Sequence, residues 1–249
     1  MPGTDILRGQ TVLITGAARR LGRAVALALA ERGADIVAHY HTSTAGAEGL
    51  VEEIEALGAK AYAVQGDFGR SDEPERLFAR VLETAGPVDV LINSASMYTE
   101  ESVGEVTPES LAANVSVNAL APFLLSRAFA AQQREGCIVN FLDTRIMDYD
   151  KGHVSYHLSK RMLFSITRMM AVEFAPKVRV NAIAPGLILP PEGKDEAYLK
   201  DLASTNPLQA YGGPGDIIEA VLFLLQGRFI TGQVLYVDGG RHLRGGVYG

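Results

Sequence analysis

Short β-branched runs alternate with amphipathic helical patterns along this chain, and that alternation restricts the possible fold more than any other feature. The candidate strands cover residues 11–15, 34–40, 61–65, 88–93, 137–142, 178–184 and 234–237. The helical patterns between them cover 21–32, 44–57, 73–84, 108–133, 155–174 and 214–225. Most strand runs are apolar throughout rather than alternating, as expected of parallel strands buried on both faces. Gly33 and Gly58 stand where helix C-terminal caps belong. The pattern predicts an α/β fold, a doubly wound parallel sheet with helices on both faces and right-handed crossovers. No linker or shift of composition divides the chain, so residues 1–249 are expected to form one domain, long enough to bury its core without staples.

One segment breaks the alternation. Residues 187–211 hold Pro190, Pro191, Gly193 and Pro207, with a short helical piece over 196–203. A connection of this length inside a compact domain is usually functional, and it leaves from the carboxyl end of the sixth strand, where ligands of such sheets sit. A substrate lid is the expectation.

Composition removes several classes of function. The 23 basic and 29 acidic residues give a net charge of −6 with no dense basic cluster, poor electrostatics for a nucleic-acid partner. The longest stretch free of Asp, Glu, Lys and Arg, residues 110–126, contains Asn114, Ser116, Asn118 and Pro122 and is shorter than the ~20 apolar residues of a spanning helix. The N-terminus lacks a signal-peptide pattern, and the single Cys137 permits no internal disulfide, which fits a reducing compartment. A soluble cytoplasmic protein is expected.

After the first strand comes Thr15-Gly16-Ala17-Ala18-Arg19-Arg20-Leu21-Gly22, running directly into a helix. Gly16 permits a tight turn and Gly22 a close approach of helix to backbone, while N–H groups at the helix start face a pyrophosphate. A simple strand–helix turn would also account for two glycines, so position after the first strand carries the weight. A ribose 2′-hydroxyl reader would be an acid at the end of the second strand, ~20 residues on. Here that strand ends in Ala38-His39-Tyr40-His41-Thr42-Ser43, with no acid before Glu48. Arg19 lies in the turn with a fork suited to a 2′-phosphate, and His41 and Ser43 add hydrogen bonds, so NADPH is the expected cofactor.

Tyr156 and Lys160 open the fifth crossover helix four residues apart, on one helical face. A nearby ammonium is expected to lower the phenol pKa from ~10 toward working pH, making the tyrosine a usable acid. The spacing alone is common by chance.

Taken together these motifs resemble the short-chain dehydrogenase/reductase family. The resemblance also rests on Asp67, on Asn93-Ser94-Ala95-Ser96, Asn118, Pro185-Gly186, Thr231-Gly232 and Asp238-Gly239-Gly240, and it spans essentially the whole chain. It implies a Rossmann-like sheet of seven parallel strands, a nicotinamide cofactor and a homotetramer paired through the helices at 108–133 and 155–174. It makes Tyr156 the proton donor and Lys160 the ligand of the nicotinamide ribose, with Asn118 supporting a water relay. Asp67 would hold the adenine amino group and Asn93 brace the sheet beside the cofactor. Leu21, Ala95, Pro185, Gly186 and Ile188 complete the implied cofactor contacts, with Tyr40, His41, Thr42 and Ser43 on the 2′ side.

Two departures narrow the resemblance. Arg20 replaces the usual middle glycine of the phosphate turn, and Asp143 replaces the usual catalytic serine thirteen residues before Tyr156. Both changes, with His39-Tyr40-His41 and the ending Asp238-Gly239-Gly240-Arg241-His242-Leu243-Arg244, are similar to the pteridine reductases of the family, including bacterial dihydromonapterin reductases. That likeness implies that Arg20 and Ser96 lie near the pterin and the cofactor phosphates. It also implies that Tyr98 forms one wall of a sandwich with nicotinamide. A carboxylate at position 143 bonds ring or amino N–H groups, whereas it repels the developing oxyanion of a ketone. Asp143 would otherwise be a loop-start cap, and Tyr98 a packing residue.

The remaining candidates carry less. His39 and His41 share a strand face without further ligands at suitable spacing, so no zinc site is expected. Cys137 begins a buried strand, and Met162, Met169 and Met170 read as core or subunit contacts. The expected function is NADPH-dependent reduction of a dihydropterin: dihydromonapterin, dihydrobiopterin or dihydrofolate. Reduction of a ketone or 3-oxoacyl thioester is the alternative within enzymes. A cofactor-bound scaffold protein is disfavoured by the intact Asn118, Tyr156 and Lys160.

Overall fold

The structure is a computed structural model that describes residues 6–148 and 151–243. Seven strands form one parallel sheet: β1 (Thr11–Thr15), β2 (Asp35–Tyr40), β3 (Ala61–Gln65), β4 (Val90–Asn93), β5 (Gly136–Phe141), β6 (Val178–Pro185) and β7 (Val234–Val237). Their order is β3-β2-β1-β4-β5-β6-β7, so the chain reverses its direction of winding between β1 and β4. In register, Thr15 lies beside Asn93 at that switch point. The crossovers are α1 (Arg20–Ala30), α2 (Thr44–Ala56), α3 (Glu73–Ala85), α4 (Pro108–Val115) continuing into α5 (Ala121–Ala130), α6 (Val154–Glu173) and α8 (Pro214–Gln226), with a short α7 (Glu196–Leu202) in the long loop.

Side chains that alternate along a strand feed two cores, one on each face. Val12, Ile14, Val90, Ile92 and Val139 pack with Val25, Leu29, Leu50, Ile54, Val221 and Leu224 from α1, α2 and α8. Leu13, Leu91, Ile138 and Val180 point the other way, onto Leu77, Phe78, Leu125, Phe129 and Met170 of α3, α5 and α6. This is why the strands read as continuously apolar. Arg179 adds a polar tie at the α8 end, donating to the carbonyls of Leu224 at 2.8 Å and Leu225 at 2.9 Å, where the helix dipole favours a cation.

Two expected elements differ from what forms. β4 starts two residues later than expected, at Val90. The Val88 N–H donates to the Gln132 side chain at 3.0 Å and Gln132 returns a bond to the Val88 carbonyl, while Asp89 still bonds Thr11 and Cys137 through its backbone. The helix expected over 108–133 is broken by a π turn over Ser116–Leu120 and ends at Ala130. Pro122 has no N–H to offer the carbonyl four residues back, that of Asn118, so a regular ladder cannot run through. Residues 1–5 and Arg244 of the expected C-terminal motif lie outside the described residues.

Leu91 is fully buried at the centre of the sheet. Leu91→Ala is expected to lower the unfolding free energy by about 2–5 kcal/mol in urea titrations. Val103→Ala, at an exposed position, should change it by no more than about 0.5 kcal/mol.

Candidate active site

A cleft of about 690 Å³ opens at the carboxyl ends of the strands, around the switch point. The Thr15 hydroxyl accepts the N–H groups of Ser94 and Ala95, each at 3.0 Å, binding the ends of β1 and β4 together. Gly16 then turns with φ +67°, and a Cβ there would stand 2.9 Å from the Ala95 Cα. At Gly22 a Cβ would meet the Gly16 carbonyl oxygen at 2.4 Å, so α1 can descend onto the turn only because that residue is glycine. No side chain caps the start of α1 and its first turn holds no acid. Its N–H groups therefore face the cleft with the positive end of the helix dipole behind them, the arrangement that takes a phosphate.

Both arginines of the turn reach the long loop. The Arg19 side chain, 60% exposed, pairs through its guanidinium with Glu192 at 3.1 Å. Arg20 has a left-handed φ of +53° and donates to the Pro190 carbonyl at 2.7 Å. The loop itself is closed at its base, where the Gly212 N–H donates to the Leu187 carbonyl at 2.9 Å. The wall beyond β2 carries Tyr40, His41, Thr42 and Ser43, and His41 faces Asp67 at 3.6 Å. Leu21, Ala95, Ser96, Tyr98, Pro185, Gly186 and Ile188 line the same cleft.

At the other end, α6 presents Tyr156 and Lys160 one turn apart, both buried. The Tyr156 hydroxyl donates to Asp143 Oδ2 at 3.0 Å. Asp143 Oδ1 accepts the Arg145 N–H at 2.8 Å, so the carboxylate also caps the 3₁₀ turn Thr144–Met147. Lys160 donates to the Phe141 carbonyl at 2.8 Å, with its ammonium 5.8 Å from the centre of the Tyr156 ring. The expectation that Lys160 lowers the phenol pKa is corrected. Burial first, and then the charge of Asp143 and the hydrogen bond to it, push the Tyr156 phenol well above its ordinary value. Burial also brings Lys160 down to about 8, which weakens the ammonium as a counter-charge.

Tyr98, 54% exposed, stacks on His153 with centroids 4.2 Å apart and meets the Tyr156 ring edge-on at 4.7 Å. Ser96 and Met97 are held by Asn118. Its Oδ1 accepts from the Met97 N–H at 2.7 Å and the Ser96 hydroxyl at 3.2 Å, while its Nδ2 donates to the Met97 carbonyl and to Ser159. Asn118 and Asn93 are the two predicted site residues that do not line the cleft. The Asn118 side chain is spent on this clamp between the β4 loop and α6. Asn93 turns inward, donating to Asn140 at 2.8 Å, and braces β4 against β5 rather than reaching toward a cofactor.

Sequence reasoning overlooked three features. Glu192 as the partner of Arg19 has no local signal. Phe68 and Met97 line the cleft on either side of the switch point. His39 enters the sequence reading as part of the His39-Tyr40-His41 motif and as a weak metal candidate, with no structural role, yet its ring lies under the phosphate turn. The C-terminal turn Arg241–Leu243 folds back onto the site's rear: the buried Asp238 carboxylate accepts from the Gly240 N–H at 2.9 Å, from the His242 N–H at 2.8 Å and from the hydroxyl of Thr144, the neighbour of Asp143. Burial pushes the Cys137 thiol up to about 11, in keeping with a core residue. Among the described residues no helix is long and apolar enough to cross a membrane, and no cluster of His, Cys, Asp and Glu is arranged to hold a metal.

A parallel sheet ordered 3-2-1-4-5-6-7 with a glycine turn at the switch point and a Tyr–Lys pair on the fifth crossover defines a nucleotide-binding oxidoreductase architecture. The chain belongs to the short-chain dehydrogenase/reductase family: the family model described as enoyl-(acyl carrier protein) reductase matches residues 16–242. A dihydromonapterin reductase of Citrobacter koseri is 32% identical over 94% of this chain and 97% of its own length. A 3-oxoacyl-[acyl-carrier-protein] reductase of Synechocystis is likewise 32% identical, over 94% and 97%. Among solved structures, FolM alternative dihydrofolate reductase 1 of Brucella canis, complexed with NADP, superimposes with a TM-score of 0.88 at 32% identity, covering 96% of each chain.

The Asp143–Tyr156 contact has a direct titration consequence. Asp143→Asn removes the negative charge facing the phenol, so Tyr156 should titrate at lower pH than in wild type. Carbon-13 NMR of ring-labelled tyrosine, assigned with Tyr156→Phe, reads the shift. An unchanged midpoint would leave burial as the whole cause.

Proposed function

We propose that this chain is an NADPH-dependent reductase of a dihydropterin ring, the class that includes dihydromonapterin, dihydrobiopterin and dihydrofolate. The observation that carries the reading is the Asp143 carboxylate at 3.0 Å from the Tyr156 hydroxyl, inside a cleft flanked by the exposed ring of Tyr98.

The residues present fit a dinucleotide. The uncapped start of α1 and the space kept open by Gly22 suit the pyrophosphate, with Gly16, Arg19, Arg20 and Leu21 around it. Arg19 serves the 2′-phosphate by exchanging its exposed pairing with Glu192 for a doubly charged anion, and Tyr40, His41, Thr42 and Ser43 complete that side. Asp67 takes the adenine edge, Lys160 the nicotinamide ribose, and Ala95, Pro185, Gly186 and Ile188 border the nicotinamide. When bound, the nicotinamide supplies the hydride.

The protein's own part is to orient the substrate and to manage one proton. A pterin is flat with a polar, nitrogen-rich edge, so the Tyr98 ring suits its face and Asp143 its N–H groups. Two of the carboxylate's roughly four acceptor positions are used by Tyr156 and Arg145, which leaves capacity for a ring donor. The Tyr156 hydroxyl is held protonated by its surroundings and delivers its proton to ring nitrogen, with Asp143 fixing its direction. An oxyanion developing on a ketone would instead face the Asp143 charge across a desolvated site. The loop over 187–211 serves as the lid, fastened at Arg19 and Arg20. The same reading carries a homotetramer, for which Leu158, Met162, Met169 and Val172 stand exposed along α6.

A second reading, reduction of 3-oxoacyl thioesters, is favoured by the equal identity of the Synechocystis reductase. Cofactor choice and substrate choice are tested separately. Wild type should prefer NADPH over NADH by at least about tenfold, near 1.4 kcal/mol, and Arg19→Ala should erode the preference through cofactor affinity. NADPH oxidation should proceed with dihydropterins and dihydrofolate and be slow with acetoacetyl thioesters. Asp143→Ser and Tyr156→Phe should each lose pterin turnover by roughly 10²-fold. An Asp143→Ser variant as fast as wild type on pterins, or a thioester preference in wild type, would move the second reading into first place.

A further inference from the structure

His39 lies on β2 beneath the phosphate turn, 2% exposed, and both of its ring nitrogens are engaged by backbone groups of different loops. The Gly16 N–H donates to Nδ1 at 3.1 Å. On the opposite side Nε2 meets the Gly66 carbonyl oxygen at 3.1 Å. The ring also stacks on Phe68, with centroids 4.2 Å apart and planes at 16°. Gly16 starts the phosphate turn, while Gly66 and Phe68 flank Asp67 on the adenine side, so one imidazole spans the two halves of the cofactor site. Its own backbone carbonyl accepts the Ala17 N–H at 2.9 Å, adding a second tie to the same turn.

We propose that His39 is a positioning residue for the dinucleotide: a neutral imidazole, protonated on Nε2, that fixes the phosphate turn and the adenine loop at one separation. This rests on the assignment of the cleft to NADPH. The hydrogen-bond chemistry permits a single form. A backbone N–H needs an acceptor, so Nδ1 carries no proton; a carbonyl needs a donor, so Nε2 does. An imidazolium would set a second donor against the Gly16 N–H. Burial first, with His41 and Arg80 adding to it against the Gly66 bond, holds the ring pKa down to about 4 and keeps this neutral form. Gly16 has left-handed geometry and the Ala17 N–H beside it is already taken by the His39 carbonyl, so Nδ1 is the acceptor that holds the half-buried Gly16 N–H in place. Glycine at 66 lets the carbonyl come this close, since a Cβ there would meet the Leu77 side chain at 2.5 Å and His39 Nε2 at 3.4 Å.

Three variants separate this role from simple packing. His39→Leu keeps bulk and loses both bonds. His39→Asn places a carbonyl oxygen near Nδ1 and restores the acceptor for Gly16, whereas His39→Gln reaches only toward Gly66. NADPH dissociation constants from fluorescence titration should rise about tenfold in His39→Leu and His39→Gln, the scale of one lost hydrogen bond at the phosphate turn. His39→Asn should remain within about threefold of wild type, and kcat at saturating NADPH should change little in all three. Proton–nitrogen correlation NMR of wild type at neutral pH should show His39 Nδ1 as the unprotonated acceptor and Nε2 as protonated, a readout that needs no variant to fold. Wild-type affinity in His39→Leu, an Asn variant as weak as Leu, or a proton on Nδ1 would each overturn the proposal. Failure of the NADPH assignment is distinguishable, because wild type itself would then bind NADPH no better than NADH.

Discussion

The closeness of Gly22 to Gly16 sets how far the first helix can descend toward the end of the sheet, and the cleft is built outward from that distance. A methyl group at position 22 would collide with the turn's carbonyl at 2.4 Å. With the helix seated, the Thr15 hydroxyl can gather the N–H groups of Ser94 and Ala95, and the β4 loop is drawn in beside the turn. The Asn118 clamp then fixes the next two residues, Ser96 and Met97, to α6 through Ser159. Placement of the reactive end thus follows, through the Thr15 and Asn118 side-chain hydrogen bonds, from a contact at the phosphate end.

The reactive end is a concentration of ionisable groups where little water reaches. Tyr156, Lys160 and Asp143 are packed against one another and against backbone carbonyls, and each modifies its neighbours. Burial favours the neutral phenol and opposes the ammonium, and the carboxylate reinforces the first effect while opposing the second. A site so arranged holds its proton tightly on oxygen until another charge or donor enters. Replacing the carboxylate with a hydroxyl would remove the negative charge that faces the phenol, and with it one of the causes that hold the proton there.

The sheet, its crossovers and most cleft residues were legible in the sequence because their signals are local. Strands buried on both faces produce apolar runs, the glycines of the turn lie six residues apart, and Tyr156 and Lys160 lie one helical turn apart. What was not legible depends on long-range pairing or on burial. Glu192 meets Arg19 across 173 residues of chain. Val88 reads as strand because nothing near it announces that Gln132 will take its backbone bonds. Spacing reveals the Lys160 ammonium near the phenol but not the depth at which both groups are buried, and burial is the first cause that raises the phenol pKa. His39 shows the same limit: a histidine on a strand is ambiguous until the groups beside each ring nitrogen are known.

The π turn at Ser116–Leu120 imposes a constraint of counting. It inserts one residue's worth of chain between two α-helical stretches, so the faces of α4 and α5 are out of phase by about 100° relative to an unbroken helix. Asn118 falls within the offset, and this phase lets its amide reach Met97 on one side and Ser159 on the other. Deleting a residue there would rotate the preceding helix about its axis, separating Asn114 from Thr99, while Pro122 would still leave one ladder bond unmade. The stretch therefore works like a vernier on the helix: its length in residues sets where the Asn118 amide falls.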